Sequence, residues 1–286
     1  MKKSSIGNIK IGKISINTLV VVVCSFYLFP IYLILTNSFK SRSQMYENMI
    51  ALPKNFSLQY YISALEKMNF VSSLRNSIII TIVSIAIIVI LTSMTAWMLV
   101  RSNNKLSKVI FSFLVATMLI PFQTIMMPLM QEMHWIGNNI GIKMADSIPG
   151  LIFMYIGFGA GMGVFIFHGF ISSIPVSLEE AAIIDGCNTW QVFWRIVFPI
   201  LKPTTMTVII LDVIWIWNDY LLPSLTLKST INRTIPISTA KFFGQYTISW
   251  NEAMAALVLT IIPVAVFYLI CQKYIVKGVA AGAVKG

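Results

Sequence analysis

Charge is what this chain has least of. Asp, Glu, Lys and Arg make up 11% of its residues, where a soluble domain carries roughly 25%, and apolar residues make up 57%. An ordinary water-soluble protein is excluded. Cysteine and histidine are nearly missing as well. The three cysteines, Cys24, Cys187 and Cys271, are too far apart in sequence for a disulfide framework or a CxxC site. His134 and His168 stand alone, so no histidine-based metal centre is expected. There is no GxxxxGK[ST] loop to cradle a nucleotide phosphate, no HExxH and no GxSxG. The net charge of +11 contains no basic run longer than Lys2-Lys3. It reads as the basic flanks of membrane spans, not as a nucleic-acid surface.

Long apolar runs are present instead. Six spans can be read, at about 15–35, 77–100, 108–130, 149–171, 204–223 and 254–274, each roughly 20 residues and so about 30 Å as a helix. The expected fold class is an all-α membrane protein with six transmembrane helices, a single domain over 1–286. The first run is too long for a signal-peptide core and no cleavage site follows it, so it reads as an anchor. Six spans put both termini on one side, and that side holds 12 of the Lys and Arg against 9 on the other. With the basic N-terminus and the short link RSNNKLSK, this predicts cytoplasmic termini.

Several spans carry features that plain lipid anchors do not need. The third holds Pro121 and Pro128 around Gln123 and Thr124, and a proline removes a backbone donor and bends the helix. The fourth has Gly157/Gly161 and Gly159/Gly163 at i, i+4, a spacing that lets another helix come close. The fifth contains Asp212 and ends in WIWNDY. A carboxylate at that depth must face the bundle or a cavity; a structural partner and a solute pathway both remain open for it. Trp215, Trp217 and Tyr220 fit an interfacial belt, and Gln123, Trp217, Asn218 and Asp219 are further solute-pathway candidates.

Between the fourth and fifth spans the chain turns polar, in SLEEAAIIDGCNTWQVFWRIVFPILKP. Ser177-x-x-Glu180 has the form of a capping box, and Glu179 and Glu180 sit where the helix dipole favours anions. Gly186 is placed as a left-handed stop. Asn188-x-x-Gln191 then repeats the cap, and Trp190, Phe193, Trp194 and Val197 make one apolar stripe up to Pro199. A helix–turn–helix elbow is predicted over 176–199, its first limb offering Ala181 and Ala182 for close approach and Glu179, Glu180 and Asp185 for charge-assisted bonds.

The letters EAAIIDGCNTWQVFWRIVFP resemble the signature of membrane subunits of ATP-binding-cassette importers: EAA, three residues, Gly, nine residues, then Ile-x-Leu-Pro. Here the positions are Glu180, Ala181, Ala182, Gly186, Ile196, Phe198 and Pro199, with Phe198 in place of Leu. TNSFKSRSQMYENMIALPKNFSLQYY, MLIPFQTIMMPL, WNDYLLPSL and the closing GAVKG are similar to the carbohydrate branch, of the kind that includes the maltose-type second permease; Gln59 replaces a common Asn.

This resemblance implies a type I importer permease with no catalytic site and no directly bound cofactor. ATP-Mg would be used by a partner ATPase. Implied partners are a second permease, two copies of that ATPase and an extracellular solute-binding protein, with no nucleic acid. It implies that Glu179, Glu180, Ala181, Ala182 and Asp185 seat the elbow in the ATPase, Gly186 turns it, and Ile196 and Pro199 rejoin it to the fifth span. The solute would be a sugar or oligosaccharide, or alternatively a polyol or glycerol phosphate. A phosphorylated solute would call for an intracavity Lys or Arg, and the six spans have none inside. An intramembrane enzyme would need several reactive groups at depth, where only Asp212 stands; a docking scaffold would not need the broken third span.

Overall fold

A computed structural model describes residues 4–244 and 249–283, with side chains over 16–244 and 249–272. The Lys2, Lys3, Lys10 and Lys13 side chains used for the topology, and the end of the GAVKG segment, lie outside the described residues. In chain order the helices are α1 (Ser4–Asn37), α2 (Arg42–Glu47), α3 (Gln59–Lys67), α4 (Phe70–Ser102), α5 (Lys105–Thr117), α6 (Phe122–Ile140), α7 (Ile148–Ile171), α8 (Ser177–Ile184), α9 (Thr189–Val192), α10 (Phe198–Ile200), α11 (Lys202–Asn218), α12 (Leu221–Thr226), α13 (Ile235–Ala240) and α14 (Trp250–Ala283).

Four stretches are long and apolar enough to cross a bilayer unaided: Ile16–Asn37, α4, α7 and Trp250–Gln272. The third expected span is broken, and the helix of the fifth, α11, is too short to pass alone and is preceded by a sharp bend. α5 and α6 meet at 102°, and the helical run Thr189–Ile200 meets α11 at 74°; counting each bent pair as one gives six. The third span, expected over 108–130 with prolines that bend it, is thus two helices. Its break follows from Pro121, which is extended (φ −61, ψ 132) and cannot donate to the preceding turn. The last amides before it, on Leu119 and Ile120, close tighter i−3 bonds to Ala116 and Thr117. Pro128, by contrast, is carried inside α6.

The described residues fall into two compact units. One comprises the chain up to Met68 with Thr239–Ile262. Its polar centre is Lys40, only 1% exposed, whose ammonium donates to Asn37 Oδ1, Asn48 O and Met49 O, each at 3.1 Å. Three donors meet three neutral oxygens, which satisfies the group without a counter-ion. Loss of water still lowers its pKa from the usual lysine value. Asn251 donates to the Lys40 carbonyl at 2.8 Å, and Lys67 pairs with Glu252 at 2.6 Å, so the segment after α1 is tied to the start of α14.

The second unit comprises Asn69–Ser238 with the chain from Pro263. α4 and α7 form its most extensive helix pair, flanked by α5 and α11. Three glycines of α7 explain how close they come. A Cβ on Gly159 would sit 2.7 Å from Ile88 Cδ1 and one on Gly163 2.6 Å from Thr92 Oγ1, so i, i+4 glycines meet i, i+4 residues of α4. A Cβ on Gly161 would sit 2.7 Å from the Leu114 carbonyl of α5, whereas Gly157 has nothing within 4 Å. Gly161→Ala is accordingly expected to cost about 1–3 kcal/mol by overpacking against a backbone that cannot rotate away. Gly157→Ala should be neutral or slightly stabilising; thermal unfolding of the two proteins in detergent checks the contrast.

Candidate functional site

The elbow forms as helix, sharp turn, helix, and its turn is built as expected. Gly186 has φ +85, in the left-handed region that glycine enters without Cβ strain. The Cys187 amide bonds the Ala182 carbonyl and the Gly186 amide bonds the Ile183 carbonyl, each at 2.9 Å. This is the Schellman pattern of a left-handed helix stop. The second cap also forms in full: Asn188 Oδ1 accepts from the Gln191 amide and Gln191 Oε1 accepts from the Asn188 amide, both at 2.9 Å.

The first capping box does not form. Ser177 is the first helical residue, Val176 holds the cap position, and no side chain bonds the first amides. The Glu179 and Glu180 amides are instead taken by the Val176 carbonyl, so the chain is already helical before Ser177 could act.

Glu179 is the larger correction. Expected as an exposed acid for a partner, it is 6% exposed and points into the protein. Arg101 Nε and Nη2, from α4, donate to its Oε1 at 2.9 and 2.7 Å, and Trp97 Nε1 donates to its Oε2 at 3.0 Å. Arg101 Nη2 also reaches the Ile174 carbonyl at 3.2 Å. Each carboxylate oxygen is thus satisfied, which an ion withdrawn from water requires. Glu179 shares its inward face with Ala182, three residues on, which is also buried. Trp97 and Arg101 were missed as site residues, because they lie about eighty residues before Glu179 and nothing local in the sequence links them to it.

The opposite face of α8 is open. Glu180, Ala181, Asp185 and Gly186 are exposed, and so are Leu178, Ile183 and Ile184, the last at 85%. This face therefore presents apolar side chains rimmed by acids. In the second limb, Phe193–Val197 winds as a π-helix, whose i+5 bonding turns the faces. The inward set becomes Val192, Phe193 and Val197, and Trp190 swings out to 60% exposure, against the expected stripe. Ile196 is half-buried and Pro199 exposed at the bend into α11.

The membrane-depth candidates are not joined to one another by any hydrogen bond among the described residues. Gln123 is exposed on the first turn of α6. Asp212 is buried and its Oδ2 has no hydrogen-bond partner. Trp217 is buried in the wall of an apolar cavity of about 460 Å³ with Ile82, Val213 and Phe267, so it does not belong to the expected interfacial belt. Asn218 is exposed and donates back to the Ile214 carbonyl at 2.7 Å. Asp219 accepts from the Tyr155 hydroxyl and from the Leu221 amide, both at 2.9 Å, and so frames the step from α11 to α12. No three His, Cys, Asp or Glu among the described residues are placed to hold a metal ion.

An all-helical, multi-pass membrane protein with broken spans and a projecting elbow has the architecture of a transporter's membrane subunit. The same fold occurs in a bacterial ABC transporter involved in the import of the acidic polysaccharide alginate, at a TM-score of 0.80 and 23% identity over 93% of this chain and 96% of that one.

Residues 88–281 match the binding-protein-dependent transport system inner membrane component family, and the chain belongs to it. It is 42% identical, over 97% of its own length and 98% of the relative's, to the probable starch degradation products transport system permease protein AmyC of Thermoanaerobacterium thermosulfurigenes. It is 34% identical, over 93% and 94%, to the melibiose/raffinose/stachyose import permease protein MelC of Bacillus subtilis. The protein is thus a transport component and not an enzyme.

The turn is separately testable. Asn188→Ala removes one side of the second capping box and should loosen the elbow by about 1 kcal/mol. Amide hydrogen exchange across 186–193 is the measurement, with faster exchange confined to that stretch expected.

Proposed function

We propose that this chain is one permease subunit of an ATP-driven importer for a sugar or oligosaccharide. The solute is delivered by an extracellular binding protein, and the elbow is the surface gripped by a separate ATPase. The observation that carries the reading is the open face of α8. Glu180 and Asp185 flank an apolar patch, held at a fixed angle by the left-handed turn at Gly186, at the position of the importer signature. A socket with apolar walls and a basic rim fits that face. Ala181 allows close approach, Ala182 and Glu179 hold the inner side, and Ile196 and Pro199 rejoin the elbow to α11.

The rest of the assembly follows from that role. The partners are a second permease subunit and two copies of the ATPase, which alone binds ATP-Mg. The chain acts as one permease domain of six spans over 1–286, with the elbow and both termini in the cytoplasm. Nucleotide-driven closure of the ATPases would tilt the spans and switch the access of the central cavity between two states. Gln123 and Asn218 are proposed to face the solute, the Asp212 carboxylate to supply a buried acceptor, and Trp217 and Asp219 to shape and frame the pathway. A neutral solute is favoured because the interiors of the six expected spans contain neither Lys nor Arg. The named solutes of the relatives support a carbohydrate.

Two experiments test this. Uptake of a panel of labelled oligosaccharides by a strain lacking the chain should fall for at least one of them; unchanged uptake of all overturns the sugar assignment. Glu180→Lys reverses the charge at the docking face, and Gly186→Val puts a branched side chain where φ is +85. Each should abolish uptake while the protein still inserts in the membrane, as read by quantitative blotting. Wild-type uptake in both would remove the elbow from the mechanism.

A further inference from the structure

Resting on the reading of the elbow as the gripped element, we infer that Arg101 and Trp97 are the residues through which its displacement enters the membrane helices. The elbow is attached to the spans at its two chain ends, after Ile174 and at Leu201, and also sideways, by the Glu179 clamp to α4. The lateral attachment is held by three hydrogen bonds to one carboxylate. Both oxygens of the carboxylate are engaged by donors that lie four residues apart on α4, one helical turn. Charge-assisted bonds of this kind hold one geometry, where apolar contacts could slide. Arg101 also pins the Ile174 carbonyl, fixing the strand of chain by which the elbow is reached. The Trp97 ring lies 5.4 Å from that of Phe193, so one tryptophan touches both limbs.

The two sides of α8 divide the work. Glu180, Ala181, Ile183 and Ile184 face outward and Glu179 faces α4. A partner that moves the outer face therefore moves α4 with it. α4 in turn carries α7, because the two interlock at Gly159 and Gly163. The downstream end is built to bend instead, through the π-turn at 193–197 and the 74° break before α11. The consequence is that α4 and α7 move as one body with the elbow, while α11 changes its angle to them.

The intact importer, purified through a tag on this chain and placed in nanodiscs, allows a direct test. An Ile82→Cys reporter on the apolar cavity wall is labelled with maleimide in the presence and absence of Mg-ATP, and ATP hydrolysis is followed in parallel. In the otherwise native protein, Mg-ATP should change the labelling rate. Arg101→Gln should leave hydrolysis running while the ATP-induced change in labelling shrinks roughly tenfold, toward the upper range for residues on a coupling route. Trp97→Phe, which keeps the ring and loses one donor, should give a smaller uncoupling and decides the matter if Arg101→Gln does not accumulate. An unaltered labelling response, or a parallel loss of hydrolysis and response, overturns the inference. Crosslinking from Asp185→Cys to the ATPase in the native background reports separately on docking, and its absence would overturn the underlying reading rather than the role of the clamp.

Discussion

α7 can lie against α4 as closely as it does only because Gly159 and Gly163 present no side chain to Ile88 and Thr92. In hydrocarbon, where burying apolar surface gains nothing over lipid, close backbone approach and dispersion are what hold helices together. That single contact makes a two-helix body out of the spans at the centre of the unit. α5 is brought in by the third glycine, Gly161, and α11 lies along both helices. The elbow is then fastened to the end of α4 through Arg101.

The second governing constraint is the satisfaction of polar groups away from water. Where the chain breaks, the freed groups find partners. Tighter i−3 bonds serve before Pro121, the Asp219 carboxylate serves between α11 and α12, and the Lys40 ammonium gathers the carbonyls of the segment following α1. Glu179 follows the same rule at higher stakes, since a buried carboxylate without Arg101 and Trp97 would be costly. Asp212 departs from it, with one buried oxygen unpartnered.

Much of this was legible in the residues. The apolar runs marked where the chain could cross, the proline in MLIPFQ marked the break in the third span, and Gly186 marked the turn of the elbow. These are local signals, set by the backbone of one residue or by composition over a bilayer's thickness. The signature around Glu180 pointed to the class of protein through its resemblance to importer permeases, which the family match bears out. The capping box at Ser177 misled, since the same letters are compatible with a helix begun one residue earlier.

What the sequence by itself determined was therefore the oily helices, their breaks and the existence of a polar elbow, all consequences of local conformational preference and transfer from water. Only the tertiary structure decided which acid faces outward and which inward. Glu179 and Glu180 are adjacent and chemically alike, and no local rule separates them. Their roles diverge because folding brings Arg101 and Trp97, about eighty residues earlier in the chain, to one side of α8 and leaves the other side to whatever covers it.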